Sequence, residues 1–81
     1  MRARDLEFLN NLIRLGSVTE TARVMHTTQS NASKILKKLE EHFGFQLVER
    51  MNGRLYPTEE GRLIAEQAES TLIGLRQLES R

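Results

Sequence analysis

The sequence predicts a mainly α domain that carries one short β-hairpin and ends in a long helix. Three observations lead there. Apolar residues recur at three- and four-residue spacing in three separate stretches, Leu6–Leu15, Ala32–Phe43 and Ile64–Leu78. Residues that start or stop helices stand at the edges of such stretches: Gly16, Ser17, Thr28, Gly44 and Thr58. Asn52-Gly53 is a strong hairpin signal, because both residues tolerate positive φ.

Taken in order, residues 4–15 read as a helix, with Leu6, Leu9, Leu12 and Ile13 as its apolar stripe and Phe8 and Leu15 widening it. Gly16 stops that helix. Ser17 opens a short one over about residues 18–25, and Glu20 is placed to complete a capping box. Ala22, Val24 and Met25 are its expected buried side. His26 and Thr27 make a tight connection to a third helix, for which Thr28 is the N-cap. On a helical wheel Ala32, Ile35, Leu36, Leu39 and Phe43 share one side, and Ser30, Ser33, Lys34, Lys37 and Glu41 the other. Gly44 suits the left-handed position that ends a helix.

Phe45, Leu47 and Val48 then suggest a short strand, and Leu55-Tyr56 its return, closed by Pro57. Thr58 caps a last helix, expected to run to about residue 80, with Glu59 and Glu60 in a first turn whose dipole favours acids. No repeat or low-complexity segment interrupts the chain.

Bulk properties exclude several classes. The chain of 81 residues suffices for one small domain, and it contains no cysteine for disulfides or thiolate metal sites. No apolar run approaches a membrane span and the N-terminus lacks the apolar core of a signal peptide, so a soluble, cytoplasmic protein is expected. His26 and His42 have no cysteine partners, and a tetrahedral metal site needs three or four convergent ligands. No nucleophile stands near a base and an orienting group. No metal, cofactor or catalytic residue is therefore expected, and the protein is not read as an enzyme.

Net charge is only +1. Its distribution says more. Residues 26–56 hold Lys34, Lys37, Lys38, Arg50 and Arg54 against Glu40, Glu41 and Glu49, a balance of +2. Residues 57–81 hold Arg62, Arg76 and Arg81 against five glutamates, a balance of −2. The basic segment includes "TTQSNAS", residues 27–33, a run of small hydroxyl and amide residues at a helix start. A core has no use for them.

A short helix, a tight turn and a second helix make a helix-turn-helix, and a following hairpin makes its wing. In that arrangement the start of the second helix enters the major groove of DNA. Residues there must be short and must hydrogen-bond to base edges or phosphates. Hydroxyls serve either partner, and an amide can pair with adenine. The helix N-terminus itself attracts phosphate. Thr27, Thr28, Gln29, Ser30, Asn31 and Ser33 fit this use, and Lys34 and Lys37 extend the same face. Arg50 and Arg54 flank the hairpin, where an arginine suits a narrow minor groove.

The sequence also resembles the N-terminal DNA-binding domain of LysR-type transcriptional regulators, from about Leu6 through Gly61. The resemblance rests on "GSVTETARVMHTTQSNASKILKKLEEHFGFQLVER" and then "PTEEG". Gln29, Ser33, Leu39-Glu40, Gly44, Leu47 and Glu49-Arg50 stand where the family pattern puts them. It implies a winged helix-turn-helix over residues 1–57, with a recognition helix at about 29–43 and a wing at about 50–56. It implies that Thr28, Gln29, Ser33 and Lys34 contact DNA, and that Arg50 and Arg54 contact the backbone or minor groove. Residues 58–81 become a linker helix that pairs with its twin from a second chain. Double-stranded DNA with an interrupted palindromic site is then the expected partner. A small-molecule effector would act only through a domain outside these 81 residues. Val18 and Val48 stand where Phe is commoner, Ser30-Asn31 replace a frequent Pro-Ala, and Ala32 is smaller than usual. The family pattern therefore carries no base preference to this chain.

The tail stripe of Ile64, Ala68, Leu72, Leu75 and Leu78 is the expected dimerisation face. About 20 helical residues span ~30 Å, more than so small a body can cover. The alternative function is an interaction or dimerisation module without DNA affinity, in which the same stripe does all the work.

Overall fold

The computed structural model describes residues 2–80. Met1 and Arg81, the outer limits of the two expected segments, lie outside the described residues. The elements are α1 (Ala3–Leu15), α2 (Val18–Val24), α3 (Gln29–Phe43), β1 (Val48–Met51), β2 (Arg54–Pro57) and α4 (Glu59–Glu79). The fold is a winged helix-turn-helix with a linker helix.

Each helix boundary has a chemical cause. Gly16 sits in the left-handed region at φ 67° and its N–H donates to the Leu12 carbonyl, which closes α1. Ser17 caps α2 by accepting from the Glu20 N–H at 3.1 Å. The Glu20 carboxylate accepts from Arg23 at 2.9 Å instead of reaching back to Ser17, so only the serine half of the expected box forms. Gly44 ends α3 at φ 83°, and Thr58 caps α4 by accepting from the Gly61 N–H at 3.0 Å.

The core joins all the layers. Phe8, Leu9 and Leu12 of α1 meet Ala22 and Met25, Ala32 and Leu39 of α3, Leu47, Val48 and Leu55. Ile35, Leu36, Phe43 and Ile64 pack around this centre, partly buried. α1 packs most extensively against α4, and α2 against α3.

Two expectations are corrected. In α2 it is Thr21, not Val24, that joins Ala22 and Met25 inside: Thr21 is fully buried and Val24 is 38% exposed. The Thr21 hydroxyl donates to the Ser17 carbonyl at 2.7 Å, which removes the penalty for burying it. Phe45 and Leu47 are not part of the strand, which begins at Val48; Phe45 stays 47% exposed and Leu47 is fully buried. A two-residue turn fixes the register, pairing Met51 with Arg54 and Val48 with Pro57, and the ladder ends there. The tail stripe also divides. Ala68 and Leu72 are buried against the domain itself, Ile64 is partly buried, and Leu75 and Leu78 are exposed.

Candidate nucleic-acid interface

The connection between α2 and α3 sets the angle at which α3 leaves the body. The Thr27 N–H donates to the Ala22 carbonyl at 2.9 Å and the His26 N–H to Arg23 at 3.2 Å. This is the double bond pattern of a Schellman turn, with His26 in its left-handed position at φ 55°. Met25 is buried beneath, and its carbonyl accepts from Arg4 Nη2 of α1 at 2.8 Å. The turn is thus fixed from inside and out.

On the far side of that turn, the first turns of α3 are organised by their own side chains. Thr28 Oγ1 accepts from the Asn31 N–H at 3.0 Å. Asn31 Nδ2 donates to Thr27 Oγ1 at 2.8 Å, and Gln29 Nε2 to Ser33 Oγ at 3.0 Å. Both side-chain bonds span four residues, the spacing that stacks neighbours on one helix face. Each amide keeps its oxygen and a second N–H for another partner. Thr28, Gln29, Ser30, Asn31, Lys34 and Lys37 are exposed, and Thr27 and Ser33 are half-buried at the margin. Ala32 and Leu39 on the opposite side anchor the helix in the core.

Two electrostatic features mark this end of α3. The first turns of α1, α2 and α4 carry Asp5, Glu20, and Glu59 with Glu60, whereas that of α3 carries no acid. The positive end of its dipole is therefore not answered from within its own first turn. Among the described residues the ion pairs are Arg23–Glu20 and Arg62–Glu66, so Lys34 and Lys37 have no carboxylate within 4.0 Å. Polar donors, free cations and an uncompensated helix start occupy one surface.

The hairpin packs on α1 and α4. Asn52 and Gly53 both take positive φ, 54° and 77°, as the favoured two-residue turn requires. Arg50 donates to the Gly53 carbonyl at 3.3 Å across the tip and stays exposed. Arg54 is exposed as well. Its guanidinium folds back onto the C-terminal end of α1, with Nη2 3.4 Å from the Arg14 carbonyl oxygen. Nothing in the local sequence announces this contact between residues forty apart in the chain.

Among the described residues no cluster of three or more His, Asp or Glu side chains could hold a metal, and no helix is long and apolar enough to cross a membrane. His26 precedes α3 and His42 lies in its last turn.

Known proteins share this arrangement. The sequence pattern described as "Bacterial regulatory helix-turn-helix protein, lysR family" matches residues 3–62. The regulator DgcR of Pseudoalteromonas sp is 34% identical over 80 residues, covering 99% of this chain and 28% of the relative. The transcriptional activator protein LysR of Escherichia coli (strain K12) is 35% identical over 77 residues, covering 95% of this chain and 25% of the relative. The chain thus spans about a quarter of the length of these curated relatives. The DNA-binding domain of BenM, solved in complex with benA site 1 DNA, superposes with a TM-score of 0.92 at 29% identity over 99% of this chain and 90% of that one. The CbnR domain in its DNA complex has the same fold, with a TM-score of 0.91 at 23% identity over 100% of this chain and 93% of that one. A matched pattern that runs from the start of α1 past the wing into α4, on a superposable backbone, assigns the chain to the lysR family of bacterial regulatory helix-turn-helix proteins.

Proposed function

We propose that this domain binds double-stranded DNA sequence-specifically, with the N-terminal half of α3 in the major groove and the hairpin against the neighbouring backbone. The observation that carries this reading is the start of α3. It combines an acid-free first turn, exposed hydroxyls and amides, and unpaired Lys34 and Lys37. Gln29, Ser30 and Ser33 are short enough to reach base edges, Thr27, Thr28 and Asn31 suit the adjoining backbone, and the lysines suit phosphate or guanine. Arg50 at the hairpin adds a cation on the flank. Relatives of the same fold whose structures hold DNA support the reading. A module limited to self-association would leave this polar face without a use.

The tip of α4 supports a dimer. Ile73, Leu75 and Leu78 are exposed on the last turns, and an open groove between α1 and α4 has Ile13, Ala65, Leu72 and Ile73 in its lining. A twofold pair joined there would present two recognition helices to an interrupted palindrome, with half-site spacing set by the pair. Such a domain would serve a cytoplasmic transcription regulator whose effector acts through a separate domain. Selection of sites from a random duplex pool, followed by affinity measurement across salt concentrations, tests the reading. Enrichment of one motif with a steep salt dependence is expected. Recovery of unenriched sequence with no salt dependence would overturn it.

A further inference from the structure

Arg54, at the start of β2, is held against the end of α1. Its side chain lies flat over Gly16. A β-carbon added at Gly16 would stand 2.6 to 2.8 Å from the Cζ, Nε and Cγ atoms of Arg54. The glycine therefore does two things: it takes the left-handed conformation that closes α1, and it leaves the space the arginine fills. Beneath the side chain the backbones are joined, since the Leu55 N–H donates to the Gly16 carbonyl at 2.9 Å. Above it, Arg54 Cζ sits 5.9 Å from the centre of the Tyr56 ring, within range for a cation over an aromatic face. The guanidinium also reaches the Arg14 carbonyl, at the negative end of the α1 dipole, where a cation is favoured.

We propose that Arg54 is a positioning residue. It latches the wing to the end of α1 and so fixes where the hairpin meets the duplex, without itself being a DNA ligand. The inference rests on the reading of this domain as a DNA binder. Gly16 leads directly into the cap of α2, so the latch ties the wing to the helix-turn-helix itself rather than to a distant part of the fold. Small displacements matter in such a geometry, because base and backbone contacts hold only when both elements meet the duplex together.

Hydrogen exchange of the free protein and DNA affinity across salt test this together on Arg54→Ala and Arg54→Met. Arg54→Ala should speed exchange of the Leu55 amide at least tenfold and leave amides in the middle of α3 unchanged. It should also weaken specific binding while the log–log salt slope stays at the wild-type value, because no phosphate contact is lost. Arg54→Met keeps a stem over Gly16 without charge. It should retain the slope and exchange more slowly at Leu55 than the alanine variant. A slope reduced by about one unit in either variant would make Arg54 a phosphate ligand and overturn the proposal. Unchanged Leu55 exchange in Arg54→Ala would overturn it equally. A wild type that binds no duplex would remove the DNA reading, and the exchange arm would still decide whether the latch exists.

Discussion

The carbonyl oxygen of Leu47 occupies the space in which a β-carbon on Gly61 would stand. The same oxygen accepts from the Thr58 N–H at 3.0 Å, and Thr58 Oγ1 donates to the Gln46 carbonyl at 2.7 Å. From the other side, Glu40 of α3 accepts from the Leu47 N–H at 2.7 Å. The chain between α3 and β1 is thus pinned to both neighbouring helices, and the side chain of Leu47 is fully buried. The close approach of α4 that makes this possible requires glycine at position 61.

Gly61→Ala should therefore destabilise the domain by about 1–3 kcal/mol, as overpacking does, although alanine is the better helix former. Urea unfolding followed by circular dichroism measures it. A midpoint at or above that of the wild type would mean that the Leu47 backbone yields freely.

The two sides of α3 should separate stability from binding. Leu39 is buried in the core, and Leu39→Ala should cost ~2–5 kcal/mol. The Ser33 hydroxyl accepts from Gln29 at the surface margin, so Ser33→Ala should change stability by less than ~0.5 kcal/mol. It should still weaken binding to the selected site. Thermal unfolding and gel-shift titration of both variants check the assignment, and exchanged effects would reverse it.

Most of the fold was legible because its boundaries are set locally. Gly16, Ser17, Thr28, Gly44, Asn52-Gly53 and Thr58 each act through their own backbone and immediate neighbours, which spacing alone reveals. The buried side of α2 departs from the apolar pattern for a physical reason. A threonine that satisfies its hydroxyl one turn back packs like an apolar residue, so Val18, Thr21, Ala22 and Met25 form the stripe that a search for apolar residues misses. That three- and four-residue spacing was the available signal. Alternation cannot show that Glu40 of α3 takes the Leu47 N–H, and Phe45 and Leu47 lie outside the strand. The face of the candidate site on α3 followed from periodicity and composition. The fold-back of Arg54 did not, since it joins residues that meet only once the hairpin has docked on α1.

Lys37 should contribute affinity without selectivity. It is exposed on the polar side of α3, two turns beyond Gln29, and has no carboxylate partner within 4.0 Å. Lys37→Ala should weaken binding to selected and random duplexes by the same factor and lower the salt slope by about one unit. Fluorescence anisotropy at several salt concentrations gives both quantities. A loss confined to the selected site at constant slope would make Lys37 a base reader.

The last turns of α4 should hold two copies together. Ala68 and Leu72 are occupied by the domain's own packing, so the part of the stripe left for a partner is Leu75 and Leu78, which are 41% and 63% exposed; Ile73, two residues before Leu75 and so on the other side of the helix, lines the groove between α1 and α4. Their exposure makes the test clean, because changing them removes nothing from the core of one chain. Leu75→Asp would put an unpaired carboxylate into an apolar seam, which is strongly unfavourable when buried and harmless when solvated. The variant should be monomeric with unchanged unfolding of α1 to β2. Its affinity for a duplex with two half-sites should fall sharply, and that for a single half-site much less, because joining two heads on one duplex makes the second contact intramolecular. Sedimentation equilibrium of both proteins, with and without each duplex, measures the change. A variant that remains dimeric would move the self-association face away from this tip, to the groove between α1 and α4.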